Sequence, residues 1–497
     1  MTLIKAVRFL GIGTSLLLLS LGGQAQQNYG MTEFEATGAA EAQPAFLRGL
    51  LQLHNFEYPD ARASFQEALA IDPDFGMAYW GEALTWEHMF WRRYDLAQSR
   101  AVLQRLGPTP EARAARMQTQ REKDYLATIE ILFGEGTQDE RNVAYSEALG
   151  ALHEKYPEDL DAAAFYALSI LVVSNGRDYA NYMRAGAIAE EILEQNPLHP
   201  GALHYAIHSY DDPIHAPLGL RMARDYSQVA PSAVHALHMG SHIYFALGMW
   251  EEGTDRNIRS FEESRARQAN PDDLFDNQGY HALTWLIYSL TQQGERERAR
   301  ERLALIEEQV ERYGNDSPVP RGNYVTARAS YVVDTQEWDG HYADVEIDLT
   351  GLSPFHVATD HYVQGLVALN RGDLDGARAS LASMGGEEPV AGNDDRAASP
   401  HLLRLALAGQ IEFAAGNADQ ALALIGQATD LESELPVDYG PAVPVQPMAE
   451  LLADTYLAIG DRQKAVEYYE LSLRNAVGRE RTLTGLNRAR AETMTRR

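Results

Sequence analysis

Through most of the chain apolar residues recur three and four positions apart, with charged residues between them, a spacing that predicts amphipathic helices and no convincing strand. Residues 111–133, 142–155 and 160–173 are clear examples, punctuated at Gly107–Pro110, Tyr156-Pro157 and Asn175-Gly176. Small residues, aromatics and prolines then return at fixed offsets. In residues 42–74, Gly49, Ala61, Phe65, Ala68 and Pro73 fall where two antiparallel helices need close approach, a gap-filling ring and a stop.

The offsets set the period. His204 and His238, His208 and His242, and Pro197 and Pro231 are each 34 residues apart, the length of a tetratricopeptide repeat of helix, turn and helix. Further units are marked by Tyr79, Trp80, Ala83 and Trp86, by Gly248 and Gly253, by Gly294 and Ala299, by Gly365, Gly372 and Ala377, by Gly416, Ala421 and Ala428, and by Tyr456, Gly460, Ala465 and Tyr469. The unit starting at Leu160 carries extra residues around 174–179, and the offset of 46 between Gly248 and Gly294 puts an acidic insertion at residues 269–278. Residues 321–354 fit one helix pair with an irregular return, and residues 385–400 and 435–447 read as loops. The expected fold is all-α, a right-handed superhelical solenoid of about ten tetratricopeptide-like helix pairs. Its segments are a leader (1–25), a polar connector (26–41), N-terminal repeats (42–157), central histidine-rich repeats (158–313) and C-terminal repeats (314–497).

Charge and the N-terminus narrow the address. Lys5 and Arg8, the apolar residues 9–21, and Gly23 and Ala25 before a cut form a secretory signal peptide, which implies a periplasmic or secreted protein with no membrane span once the signal is removed. The net charge of -29 argues against nucleic acid and against anionic membrane surfaces. There is no cysteine, so disulfides, thiolate metal sites and thiol nucleophiles are excluded.

The segments LLQLHNFEYPDA, MAYWGEALTWEH, LHPGALHYAIHSYDDPIHA, APSAVHALHMGSHIY and YHALTWLIYSLTQQG resemble a group of exported bacterial tetratricopeptide-repeat proteins of unassigned biochemical role. The resemblance spans nearly the whole chain after the leader. It implies the repeat fold and a scaffold that holds a peptide, protein or small ligand in a concave groove.

Seven of the fifteen histidines lie in residues 196–253. His204, His208, His235, His238 and His242 occupy groove positions of their first helices, and His281 takes the place of His235 one repeat later. His235, His238 and His242 share one helical face. Together with Tyr288 they form the candidate ligand-binding surface, and three readings stay open. The first is a groove in which neutral imidazoles hydrogen-bond and stack on a peptide or small ligand. In the second, His204, His208, His235, His238 and His242 hold zinc, copper or iron, giving a metal-dependent hydrolase or oxidase if the protein is an enzyme. The third is structural, with imidazoles bonded to backbone carbonyls and tyrosines. Asp211 and Asp212 could orient an imidazole, though Ser-Tyr-Asp-Asp-Pro is also a good turn with capping acids. His54 and His88, beside Phe56, Tyr58, Phe90 and Trp91, read more readily as core between repeats. No His-Glu-x-x-His, Gly-x-Ser-x-Gly, phosphate-binding loop or dinucleotide fingerprint is present.

Overall fold

The computed structural model describes residues 29–174, 177–270, 273–386, 395–437 and 440–494. The leader expected at residues 1–25 lies outside them. Within the described residues the chain forms 24 α-helices, from Gln43–His54 to Glu480–Met494, in successive antiparallel pairs of tetratricopeptide type. They build two compact units. One runs to Val173 and adds Ala187–Tyr205 and Gln228–Ala233; the other takes Ser174–Gly186, Ala206–Ser227 and Val234–Arg497.

Five pairs turn in the same way, for a local reason. Gly248, Gly294, Gly372, Gly416 and Gly460 all adopt positive φ, between 69° and 87°. After each, a backbone N–H reaches back to a carbonyl five residues earlier: Met249 to Tyr244, Glu295 to Leu290, Asp373 to Ala368, Asn417 to Glu412 and Asp461 to Tyr456, at 2.8–2.9 Å. This ends the first helix with its last carbonyls satisfied and re-aims the chain for the second. The turn after Gln43–His54 has the same bond, Glu57 to Gln52 (2.9 Å), but Phe56 takes the left-handed place at φ 58°.

In the first unit the small and aromatic positions do what their spacing predicts. The Phe65 ring lies so close to Gly49 and Gly81 that a Cβ on either would overlap it. Residues 29–41 are not a polar connector. Met31 N–H donates to the Leu198 carbonyl (2.9 Å), Thr32 Oγ1 donates to Asp161 (2.6 Å), and Phe34 is buried among Phe46, Trp80 and Tyr125. Alternation of buried and exposed residues in this strap follows from an extended backbone, which periodicity searched for helices does not detect. Strand is confined, among the described residues, to one two-residue pairing: Glu87–His88 pairs antiparallel with Arg93–Tyr94 around a 3-10 turn, Met89–Trp91. Arg92, at φ 50°, takes the left-handed conformation that closes this turn without a glycine.

In the second unit the helix Pro318–Thr335 is followed only by the single turn His341–Asp344 and an extended return. Buried Arg328 holds that return, its Nε donating to the Tyr342 carbonyl (2.6 Å) and Nη1 to Asp360 (2.6 Å). The loop expected at residues 385–400 is shorter, because the helix Asp395–Ala414 carries Pro400 inside it; residues 387–394 are outside the described part. His401 Nδ1 donates to the Gly386 carbonyl (2.9 Å) and anchors that helix. The C-terminal segment crosses several first helices of this unit. Trp250 Nε1 donates to the Gly478 carbonyl (3.1 Å), Glu480 N–H donates to Gln292 (3.1 Å), and fully buried Arg479 bonds Asp334 and Glu450.

Candidate functional site

The helix Val234–Ala246 is buried along its whole length. Gly240 permits this, since a Cβ there would come within 2.8 Å of the Ala223 carbonyl. Spacings of three and four place His235, His238 and His242 on one face, and all three are buried.

Their hydrogen bonds fix their protons. Asn257 Nδ2 donates to the Gly253 carbonyl (2.8 Å), so its Oδ1 faces His238 Nδ1 at 2.7 Å and must accept a proton from it. His242 Nδ1 lies 3.1 Å from Asp211 Oδ2 and donates to that carboxylate. Each neutral ring then carries its lone pair on Nε2, and the two Nε2 atoms face each other at 3.0 Å. His281, from the helix Asn277–Gln292, is exposed, and its ring centroid is 4.4 Å from that of His238. One nitrogen from each of His238, His242 and His281 lies within 4.8 Å of the other two. Trp285, one turn beyond His281, packs edge-on to His238 (4.7 Å), flat on His242 (4.7 Å) and flat on Phe245 (5.1 Å).

Asp211 is the hub behind these rings. Arg177 Nη2 donates to its Oδ1 at 2.6 Å, while His208 Nδ1 (3.2 Å) and His242 Nδ1 both reach Oδ2. Burial works to raise the Asp211 carboxyl, but the Arg177 charge and the two imidazole bonds outweigh it and hold the group below the usual carboxylate range. Burial pushes His238 well below the ordinary histidine value, helped by its histidine neighbours, and pushes His242 down to about 4 against the pull of Asp211. The rings thus stay neutral near pH 7, the state in which an imidazole can ligate. Asp212 serves the turn as well: its Oδ1 accepts from the N–H groups of Ile214 (2.9 Å) and His215 (3.1 Å), while its Oδ2 accepts from His215 Nδ1 (2.8 Å) and lies 3.4 Å from Arg177 Nη2.

The remaining candidates divide between the two units. His208 and His235 stand in the second unit with ring centroids 6.3 Å apart. His204 belongs to the first unit, where Nδ1 donates to the His54 carbonyl (2.8 Å) and the ring abuts Phe56 (4.3 Å). Tyr288 packs on Trp250 and Phe245, away from the imidazole trio's donors, and burial pushes its phenol up to about 12. The sequence reading missed two residues, Asp161 and His199. With His54 they form a buried triad in the first unit, His54 Nε2 at 2.9 Å and His199 Nε2 at 3.5 Å from Asp161 Oδ1. His199 Nδ1 accepts from Ala202 N–H (3.2 Å), so its Nε2 carries a proton and faces the carboxylate as a donor rather than as a ligand. His88 stacks on Tyr58 at 3.9 Å and, with Tyr79 and Trp80 largely buried, belongs to core packing.

No family model and no curated protein matches the chain. Among solved structures it is similar to a chain of the APC/C hetero-tetramer Cut9-Hcn1, at 15% identity over 96% of this chain and 81% of that one, with a TM-score of 0.36. It is similar to human IFIT1 in a dimer with m7Gppp-AAAA at 14% identity, over 93% and 95%, with a TM-score of 0.37. A third likeness is to the P58(IPK) TPR domain, at 12% identity over 92% and 99%, with a TM-score of 0.23. At these values the likenesses bear on neither ligand nor partner. No described helix is long and apolar enough to cross a membrane.

Proposed function

We propose that the protein is an exported helical-repeat scaffold whose second unit holds a transition-metal ion on His238, His242 and His281. The observation that carries this reading is the 3.0 Å approach of two Nε2 atoms whose Nδ1 protons are both committed elsewhere. Two lone pairs so placed repel unless a cation lies between them. A proton is a poor candidate, because burial opposes imidazolium at both rings. A metal ion suits the arrangement: imidazole ligands at about 2.0–2.1 Å from zinc stand roughly 3.3 Å apart in a tetrahedral site. The bonds from Asn257 and Asp211 orient the ligands from behind, as supporting groups do at metal sites. His281, on the solvent side, offers a third donor and leaves a position where water or a small ligand can bind. A peptide groove at these positions is less well supported, since a peptide could reach His208, His235, His238 and His242 only after the repeats opened.

The test is elemental analysis of untagged protein, as purified without chelator and after exposure to excess zinc(II), copper and iron(II). A His238→Ala/His242→Ala variant, checked for helicity by circular dichroism, serves as control. Near one equivalent of metal in the parent and none in the folded variant is the expected result. A parent that takes up no ion from any of the three solutions would refute the proposal.

A further inference from the structure

Accepting that reading, we infer that the site takes a monovalent ion, copper(I), in preference to zinc(II). The argument starts from charge. The three donors are all imidazoles, with no carboxylate among them; the acid behind His242, Asp211, is held by Arg177 at 2.6 Å, and Arg177 is shared with Asp212 at 3.4 Å, which also meets His215 at 2.8 Å. The group behind His238 is the neutral amide of Asn257. An ion held here therefore has no anionic ligand to offset its charge, among side chains that are buried except for that of His281. The cost of placing an ion in a low-dielectric medium grows as the square of its charge, so a divalent ion is penalised about four times as heavily as a monovalent one of the same size.

Coordination points the same way. Three nitrogens converge, and Trp285, backed by Phe245, covers one side of them without offering a donor. Zinc(II) completes four ligands, and here it would need a water or an anion on the exposed side. Copper(I) is satisfied by two or three imidazoles. The Trp285 ring centroid lies 4.7 Å from the ring centroids of His238 and His242 and 5.3 Å from that of His281. A cation bound by these rings would sit close to the indole face, where a weakly hydrated monovalent ion gains from the π-system. Trp285 thus becomes part of the site and its natural reporter.

The experiment titrates metal-free full-length protein with silver(I), the redox-inert stand-in for copper(I), and separately with copper(I) kept reduced by ascorbate under nitrogen, and with zinc(II). Equilibrium dialysis gives stoichiometry and affinity, and tryptophan fluorescence reports the site. The expected result is one equivalent of silver(I) or copper(I), bound at least about 100-fold more tightly than zinc(II), with fluorescence quenching that disappears in Trp285→Phe while binding persists. Asn257→Asp places a carboxylate behind His238 and should narrow the preference about tenfold toward zinc(II), a shift that a purely structural asparagine would not produce. If Asn257→Asp does not fold, the comparison in the parent protein decides alone. Zinc(II) bound as tightly as silver(I) overturns this inference and leaves the metal site standing; no binding of any ion overturns both.

Discussion

Replacing Asp211 by Asn tests the hub of the site. The Asp211 side chain is fully buried and that of Arg177 is 6% exposed, with Nη2 and Oδ1 2.6 Å apart. Removing one partner of such a pair leaves the other charge buried and uncompensated, which costs about 3–5 kcal/mol. In Asp211→Asn that charge is the Arg177 guanidinium, which keeps the longer contact to Asp212 (3.4 Å) and its stacking over Tyr182 at 4.7 Å, and these recover only part of the loss. Adding Arg177→Met removes the stranded charge, so the double variant should be more stable than the sum of the two single losses implies, by about 2 kcal/mol or more. The assay is urea denaturation of the metal-free protein followed at 222 nm, for parent, both single variants and the double. A second reading comes from the ion: with the carboxylate gone, His242 loses its orienting acceptor, and affinity in folded Asp211→Asn should fall about 10- to 100-fold. An Asp211→Asn loss below about 1 kcal/mol, or single losses that simply add in the double variant, would refute the account of Asp211 as a charge held in place by Arg177.

Three further outcomes follow from particular contacts. Glu87 is buried with no hydrogen-bond partner at Oε2 among the described residues, and burial raises its carboxyl to about 7. A raised folded-state value stabilises at low pH and is lost as pH climbs from the unfolded value toward 7, so Glu87→Gln should reduce the parent's stability drop between pH 5 and pH 8 by about 2.5 kcal/mol, measured by denaturation at both pH values. Gly81→Ala should cost about 1–3 kcal/mol because its Cβ meets the Phe65 ring, whereas Gly426→Ala, with nothing within 4 Å, should be neutral or slightly stabilising in the same thermal melts. Arg479→Met strands Asp334 and leaves Glu450 with the longer contact to Arg481 (3.5 Å) in the second unit, and should cost about 3–5 kcal/mol, a loss that Asp334→Asn in the same chain should partly reverse.

What could be read from the residues was what is local. Glycine at 248, 294, 372, 416 and 460 marked the helix pairs because a left-handed turn is a property of one residue and its neighbours. Spacings of three and four placed His235, His238 and His242 on one face, since helix geometry alone decides that. The hairpin at residues 87–94 escaped notice because Arg92 does a glycine's work, and the strap at residues 29–41 because its partners are distant residues such as Asp161 and Leu198.

Adjacent Asp211 and Asp212 look alike in sequence and share Arg177, yet Asp211 has the closer bond to it (2.6 against 3.4 Å) and takes the imidazoles of His208 and His242, while Asp212 caps a backbone turn and meets His215. Equally hidden were the attachment of His204 to the His54 carbonyl, the packing of Tyr288 on Trp250, and the triad of His54, Asp161 and His199. Sequence determined which residues form helices, where those helices stop and which side chains share a face, because these depend on torsions and periodicity within a few residues. Only the tertiary structure decided which acid meets which imidazole and which nitrogen keeps its proton, because that depends on partners from other parts of the chain, as with Asp211 and His242, 31 positions apart, and His54 and Asp161, 107 apart.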